Sequence, residues 1–440
     1  MSQVFPFTDP VAAETLPPLR IVGGNGIKVI DVRGKDYIDA VSALWCSPLG
    51  FNHPRLADAA QRQMQTLNYY HSFMGRTPNV TEKLARRLVQ KLPSPISHVL
   101  FGTSGSEAVE TAVKLVRYYQ NSRGKSEKMR IVSREGGYHG SGQMSAALTG
   151  MGYCHDAFGV PLHDVLRVGR PHYLCDAQPG ETEVAFVKRL GRELDETIRD
   201  AGPETVGGFI GEPIMGSGGV ILPPNGYWEE IQNVLSKHDV LLIADEIITG
   251  FGRTGVWFAC ELFGIQPDLL TMAKQMTAAV FPMSAVALSE KVYAKVATQA
   301  HQFGTFGHGV TYGGHPVGAA VAMECLDIYE DMCLPNHVTN LGAYMGKGLA
   351  LFDNMPCVAQ VRREGMLSAV EFADCLGSDF ATRVTEEARE RGVFFRNIGN
   401  ILAIAPPYIC TQEDIDAIFD VLLKSVDAVL AETERHHELA

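Results

Sequence analysis

The sequence predicts an α/β fold: a mostly parallel sheet covered by helices on both faces, with a smaller α+β domain beside it. Two observations carry this. Short runs apolar on both faces (Val99–Phe101, 206–210 and 240–244) recur between helical stretches from about residue 98 onward, as parallel strands covered on both sides require. After about residue 313 the repeat ends, and a long helical segment, 316–329, leads into shorter mixed elements.

Taken in order, residues 1 to about 20 are Pro-containing and aperiodic, an arm over another surface. Residues 27–40 alternate apolar and polar around Arg33-Gly34-Lys35, predicting a β-hairpin. Residues 52–93 are mainly helical, with Leu84, Leu88, Val89 and Leu92 at helical spacing. The strand–loop–helix region follows. Beyond it, 393–395 and 401–404 predict strands, and Thr411 with Asp414 predicts a capping box opening the last helix. The expected domains are a large one over 50–315 and a small one combining residues 1–49 with 316–440.

Composition narrows the function classes. Fifty Asp and Glu against 38 Lys and Arg give a net charge of −12, a poor match for nucleic acid or an anionic membrane. Any anionic ligand must be caught by a local arrangement. Nine cysteines without a CxxC pair indicate reduced thiols and no metal ribbon. The first twenty residues lack a basic segment followed by an apolar one, and no run of about 18 apolar residues occurs, so neither a signal peptide nor a membrane span is expected. A cytoplasmic protein is expected.

Several motifs bear chemistry. The strand 240–244 ends in Asp245 and Glu246, at the strand end where ligands of parallel sheets sit. Pro267 to Lys274 is a second apolar run ending in a lysine in apolar company; desolvation favours the neutral amine that attacks a carbonyl. Gly102-Thr-Ser-Gly105-Ser106-Glu107 precedes a helical run, a ready anion site. Gly137-Tyr138-His139-Gly140 offers an aromatic face between glycines. GFGRTG (250–255) is not placed directly between strand and helix, so a dinucleotide site is discounted, and GxSxG is absent. Each motif alone suits a cap, a loop or a core residue. Together, a phosphate cup, a flat aromatic, a strand-end carboxylate and a desolvated lysine meet the needs of pyridoxal 5′-phosphate.

Here the chain resembles the class III aminotransferases of fold type I, in the ω-amino acid:pyruvate group. The resemblance runs from Gly24 to the final helix, through GTSGSEAVETAVKL (102–115), GYHG (137–140), FIGEPIMGSGGVILPPNGY (209–227), LLIADEIITGFGRTG (241–255), PDLLTMAK (267–274) and HGVTYGGHP (308–316). It implies that Lys274 bonds the cofactor as a Schiff base and then moves the proton, that Asp245 pairs with the pyridine nitrogen, and that Ile247 and Tyr138 sandwich the ring. It further implies that Gly105 and Ser106 hold the phosphate with Thr311 of the partner subunit, that Glu212 sits near the ring substituents, and that the protein is a homodimer with shared active sites. Trp45, Phe73 and Arg396 resemble the substrate pocket, Arg396 as a carboxylate clamp. No metal is implied. The implied reaction moves an amino group from an amine or ω-amino acid to a keto acid such as pyruvate. The same cofactor residues also suit a mutase, racemase or decarboxylase of this fold, or a non-catalytic binding protein. Gln275, Ala279 and Ser284 depart from the glycines or alanine common at these places, which bears on loop shape.

Overall fold

The structure, a computed structural model, describes residues 2–15 and 18–439. Seven strands make its main sheet: β1 (Ile96–Gly102), β2 (Arg130–Arg134), β3 (Val165–Val168), β4 (Val206–Gly211), β5 (Leu241–Asp245), β6 (Leu269–Met272) and β7 (Ser284–Ser289). Their spatial order is β1-β7-β6-β5-β4-β2-β3. The run from β6 to β3 is parallel throughout, and β7 alone runs against both its neighbours. The sheet is mostly parallel, as its apolar runs predict.

Alternation along each strand sends side chains to two separate cores. Ile210, Ile243, Leu269 and Val286 pack with Ala108, Val109, Ala112 and Val116 of the helix Gly105–Asn121. Phe209, Leu242, Ala244 and Leu270 pack on the other face with Phe186, Leu190 and Leu194 of Glu183–Ala201 and with Trp228, Ile231 and Leu235 of Tyr227–Lys237. Every residue of β4 and β5 is buried. Each Val, Leu, Ile or Phe buried in this way contributes about 1.5–3 kcal/mol.

Two four-stranded sheets lie outside this layer. The predicted hairpin forms between Lys28–Asp31 and Asp36–Asp39, and Val393 pairs in parallel with Ile38, so both ends of the chain share one sheet. The other joins Val358–Glu364, Leu367–Phe372, Ile401–Ile404 and Arg396–Ile398. The expected helix near 316 spans Pro316–Asp331. The capping box at Thr411 is reciprocal: Thr411 N donates to Asp414 at 2.9 Å and Asp414 N to Thr411 Oγ1 at 3.2 Å. The arm differs from the aperiodic expectation, since Pro10–Thr15 is a short helix. Among the described residues, no helix is long and apolar enough to cross a membrane. All nine cysteines are free.

Candidate active site

The carboxyl ends of β5 and β6 open onto one cavity of about 600 Å³. Asp245, the last residue of β5, is only 3% exposed. Its Oδ2 accepts from His139 Nδ1 at 2.8 Å, and its Oδ1 accepts from Thr271 Oγ1 at 3.0 Å and from Ile247 N at 3.3 Å. Thr271 is the residue opposite Asp245 in the neighbouring strand, so sheet register itself aims that hydroxyl. The bond to Asp245 assigns the His139 proton to Nδ1. The His139 ring is buried, and its Nε2 has no hydrogen-bond partner among the described residues. Three donors thus fix the carboxylate in place, suited to a cationic ligand atom.

Lys274 follows β6 and lines the same cavity. Its backbone sits at φ +42°, and Ala278 and Ala279 at +47° and +61°. Left-handed backbone at side-chain-bearing residues costs about 1–3 kcal/mol each and persists only where the surroundings enforce it. Ala279 thus holds, under strain, a conformation glycine would adopt freely. Burial pushes the Lys274 ammonium below the usual lysine range, against the opposing pull of Asp245, Cys46 and Glu212. The amine is thereby moved towards its neutral, nucleophilic form.

Gly105 and Ser106 open the helix Gly105–Asn121 behind the N-cap Ser104, whose side chain accepts from Glu107 N at 3.2 Å. Glu107 returns to Thr103 N at 2.7 Å and to Thr103 Oγ1 at 2.9 Å. The first turn of a helix leaves N–H groups without intrahelical acceptors, an anion site. The GYHG loop crosses it closely. A Cβ at Gly140, where φ is +132°, would lie 2.5 Å from Ser106 Oγ and 2.8 Å from its Cα. Ser106 Oγ accepts from Ser141 N at 3.0 Å.

Glu212 is buried and bonded to backbone alone, accepting from Tyr138 N at 3.1 Å and Gly216 N at 2.8 Å. Burial raises its pKa, with the His139 ring acting in the opposite sense. Tyr138, Ile247, Trp45 and Arg396 line the cavity as well. The Arg396 guanidinium lies 4.7 Å from the centre of the Trp45 ring, and burial lowers its pKa.

The cavity therefore gathers Lys274, Asp245, Glu212, Gly105, Ser106, Tyr138, Ile247, Trp45 and Arg396. It does not gather Phe73 or Thr311. Both are exposed; the Thr311 carbonyl accepts from Tyr69 Oη at 2.7 Å, and the Phe73 ring lies against Gly309. Several contributors escaped the sequence. His139 stood within the GYHG motif, its partnership with Asp245 invisible without the fold. Thr271 needed the strand register. Phe7 and Tyr153, which meet edge-on at 6.2 Å over the cavity, lie in segments with no periodic signal.

The family model for class III aminotransferases matches residues 11–426. The chain belongs to this family. An uncharacterized aminotransferase of Sinorhizobium fredii is 44% identical, over 98% of this chain and 95% of its own. A mitochondrial gamma-aminobutyrate transaminase 1 of Oryza sativa subsp. indica is 38% identical, over 99% and 85%. The omega transaminase of Pseudomonas jessenii in complex with PMP superposes with a TM-score of 0.96 at 39% identity, covering 98% of this chain and 97% of the other. A transaminase solved with L-ala gives 0.92 at 42%, covering 94% and 100%. This class III aminotransferase is a pyridoxal-phosphate-dependent enzyme of fold type I. Its cavity suits that cofactor in chemistry as well as volume: a buried carboxylate held in place by hydrogen-bond donors, an amine held towards neutrality, and a helix start that only glycine at 140 leaves open.

Proposed function

We propose that the enzyme takes the amino group of an amine or ω-amino acid and passes it to pyruvate in two half-reactions, releasing the carbonyl product before the acceptor binds. When bound, the cofactor supplies an electron sink for the pair freed at the substrate carbon. Lys274 is the amine that carries the cofactor and, once released, moves the proton at the substrate carbon. Its lowered pKa supports that second task, because a base must be deprotonated to accept. Asp245, fixed by His139 and Thr271, sets its negative charge against the pyridine nitrogen. Tyr138 and Ile247 bound the two ring faces, Glu212 lies by the ring substituents, and Gly105 with Ser106 receives the phosphate. Thr311 lies outside the cavity of its own chain, which supports a homodimer in which Thr311 of the partner subunit completes the phosphate site. We place the enzyme in the cytoplasm.

The observation that carries the substrate assignment is Arg396 stacked on Trp45 in a cavity that Phe7, Tyr138 and Tyr153 also line. A guanidinium binds a carboxylate through paired hydrogen bonds, and the aromatic walls accept an apolar amine. The relative solved with L-ala fits pyruvate as acceptor. Enzyme incubated with amine donor alone should release one carbonyl product per site, and pyruvate added afterwards should yield one alanine. Failure of stoichiometric carbonyl release would overturn the assignment.

A further inference from the structure

We infer that Gln275 is a positioning residue that holds the Lys274 amine at its working distance from Asp245. This rests on Lys274 being the amine that carries the cofactor. Gln275 is a fully buried amide directly after Lys274, outside the cavity lining itself. Its Nε2 donates to Ile248 O at 2.7 Å. Its own backbone oxygen accepts from Tyr329 Oη at 2.7 Å, a hydroxyl on the helix Pro316–Asp331. The residue is thus pinned from two sides, by the loop that follows Asp245 and by the helix Pro316–Asp331.

What it pins is strained. Lys274 sits at φ +42°, and Ala278 and Ala279 are left-handed four and five residues on. A segment in that state relaxes unless its neighbours forbid it. Thr271 Oγ1 joins the two strand ends at Asp245, and beyond them the side chain of Gln275 joins the two loops at Ile248 O. Ile248 lines the cavity beside Lys274 and follows Asp245 by three residues, while Glu246 N is already tied to Thr271 O at 3.0 Å. Together these bonds close a frame of Asp245, Ile248, Gln275, Lys274 and Thr271. Without the amide, the frame is open on the lysine side and Lys274 is free to rotate away from left-handed φ.

The test uses Gln275→Met, which keeps length and volume but donates no hydrogen bond, with Gln275→Ala and Tyr329→Phe beside it. In the holoenzyme, Gln275→Met should slow the amine half-reaction about ten- to a hundred-fold per cofactor-loaded site, the cost of a misplacement of about 1 Å, while the KM for amine stays within about two-fold. In the apoenzyme, the pH dependence of Lys274 acylation, read by mass spectrometry of its peptide, should also shift. A residue that merely fills space would lower the melting temperature and leave both readouts unmoved. Wild-type half-reaction rates in Gln275→Met, with an unshifted Lys274 titration, would overturn the inference. Lys274→Ala separates the two claims: if it still catalyses the half-reaction, the lysine assignment falls; if it is inactive while Gln275→Met is normal, only the positioning role falls.

Discussion

Replacing Asp245 with Asn changes one charge and almost no volume. The side chain is buried and surrounded by three donors, His139 Nδ1, Thr271 Oγ1 and Ile247 N. The least costly arrangement turns the new amide nitrogen towards Thr271, whose hydroxyl rotates to accept, and keeps oxygen facing His139. Only the long bond from Ile247 is left unpaired, a loss of about 1 kcal/mol, so the fold survives. The electrostatic loss is larger. A unit charge pair about 4 Å apart at an effective dielectric near 20 is worth about 4 kcal/mol, and every 1.4 kcal/mol is about tenfold in rate. Asp245→Asn should therefore slow the amine half-reaction by about 100- to 1000-fold with little change in melting temperature. Rapid-mixing absorbance of the bound cofactor against an amine donor measures it. A rate within about three-fold of the wild type would refute the assignment of Asp245 as the counter-charge to the ring.

Other perturbations probe other parts of the site. Arg396→Leu removes the only guanidinium that lines the cavity among the described residues; at about 1.5–3 kcal/mol for hydrogen bonds to a charged group, the KM for pyruvate should rise about ten- to a hundred-fold while that for an apolar amine holds, and steady-state kinetics on both substrates would show it. Gly140→Ala places a methyl 2.5 Å from Ser106 Oγ at φ +132°, so the variant should lose cofactor on dialysis much faster than the wild type, and equal retention would contradict a phosphate seat at the helix start. Lys274→Met should stabilise the apoenzyme at neutral pH. Burial lowers the folded-state pKa of Lys274, so between that lowered value and the ordinary lysine value the unfolded chain binds the extra proton and stability rises with pH; the gain from Met should be full below the lowered value and fade as pH rises to the ordinary one, as melting curves across pH would report.

The parts of the fold legible in the sequence are those where one element imposes its own pattern. β4 and β5 read as parallel strands because both faces are apolar, and the capping box at Thr411 is a four-residue event. Lys274 and Asp245 were legible for a related reason, since each ends an apolar run at the edge where ligands gather. Pairings across the chain were not legible. His139 lies 106 residues from Asp245, Thr271 reaches it only through strand register, and Phe7 comes from an arm whose sequence has no period. Gln275 was visible as a departure from its relatives, but its meaning required knowing that Ile248 O faces it. Phe73 and Thr311, placed in the site by resemblance, lie outside the cavity of their own chain.

The account depends most on which amine faces the cavity. Reducing the holoenzyme with borohydride fixes the cofactor to whichever lysine carries it, and peptide mass spectrometry then locates the added mass. The modification should fall on Lys274 at about one per chain and be absent from enzyme first treated with amine donor. Label on another lysine, or none, would contradict the account.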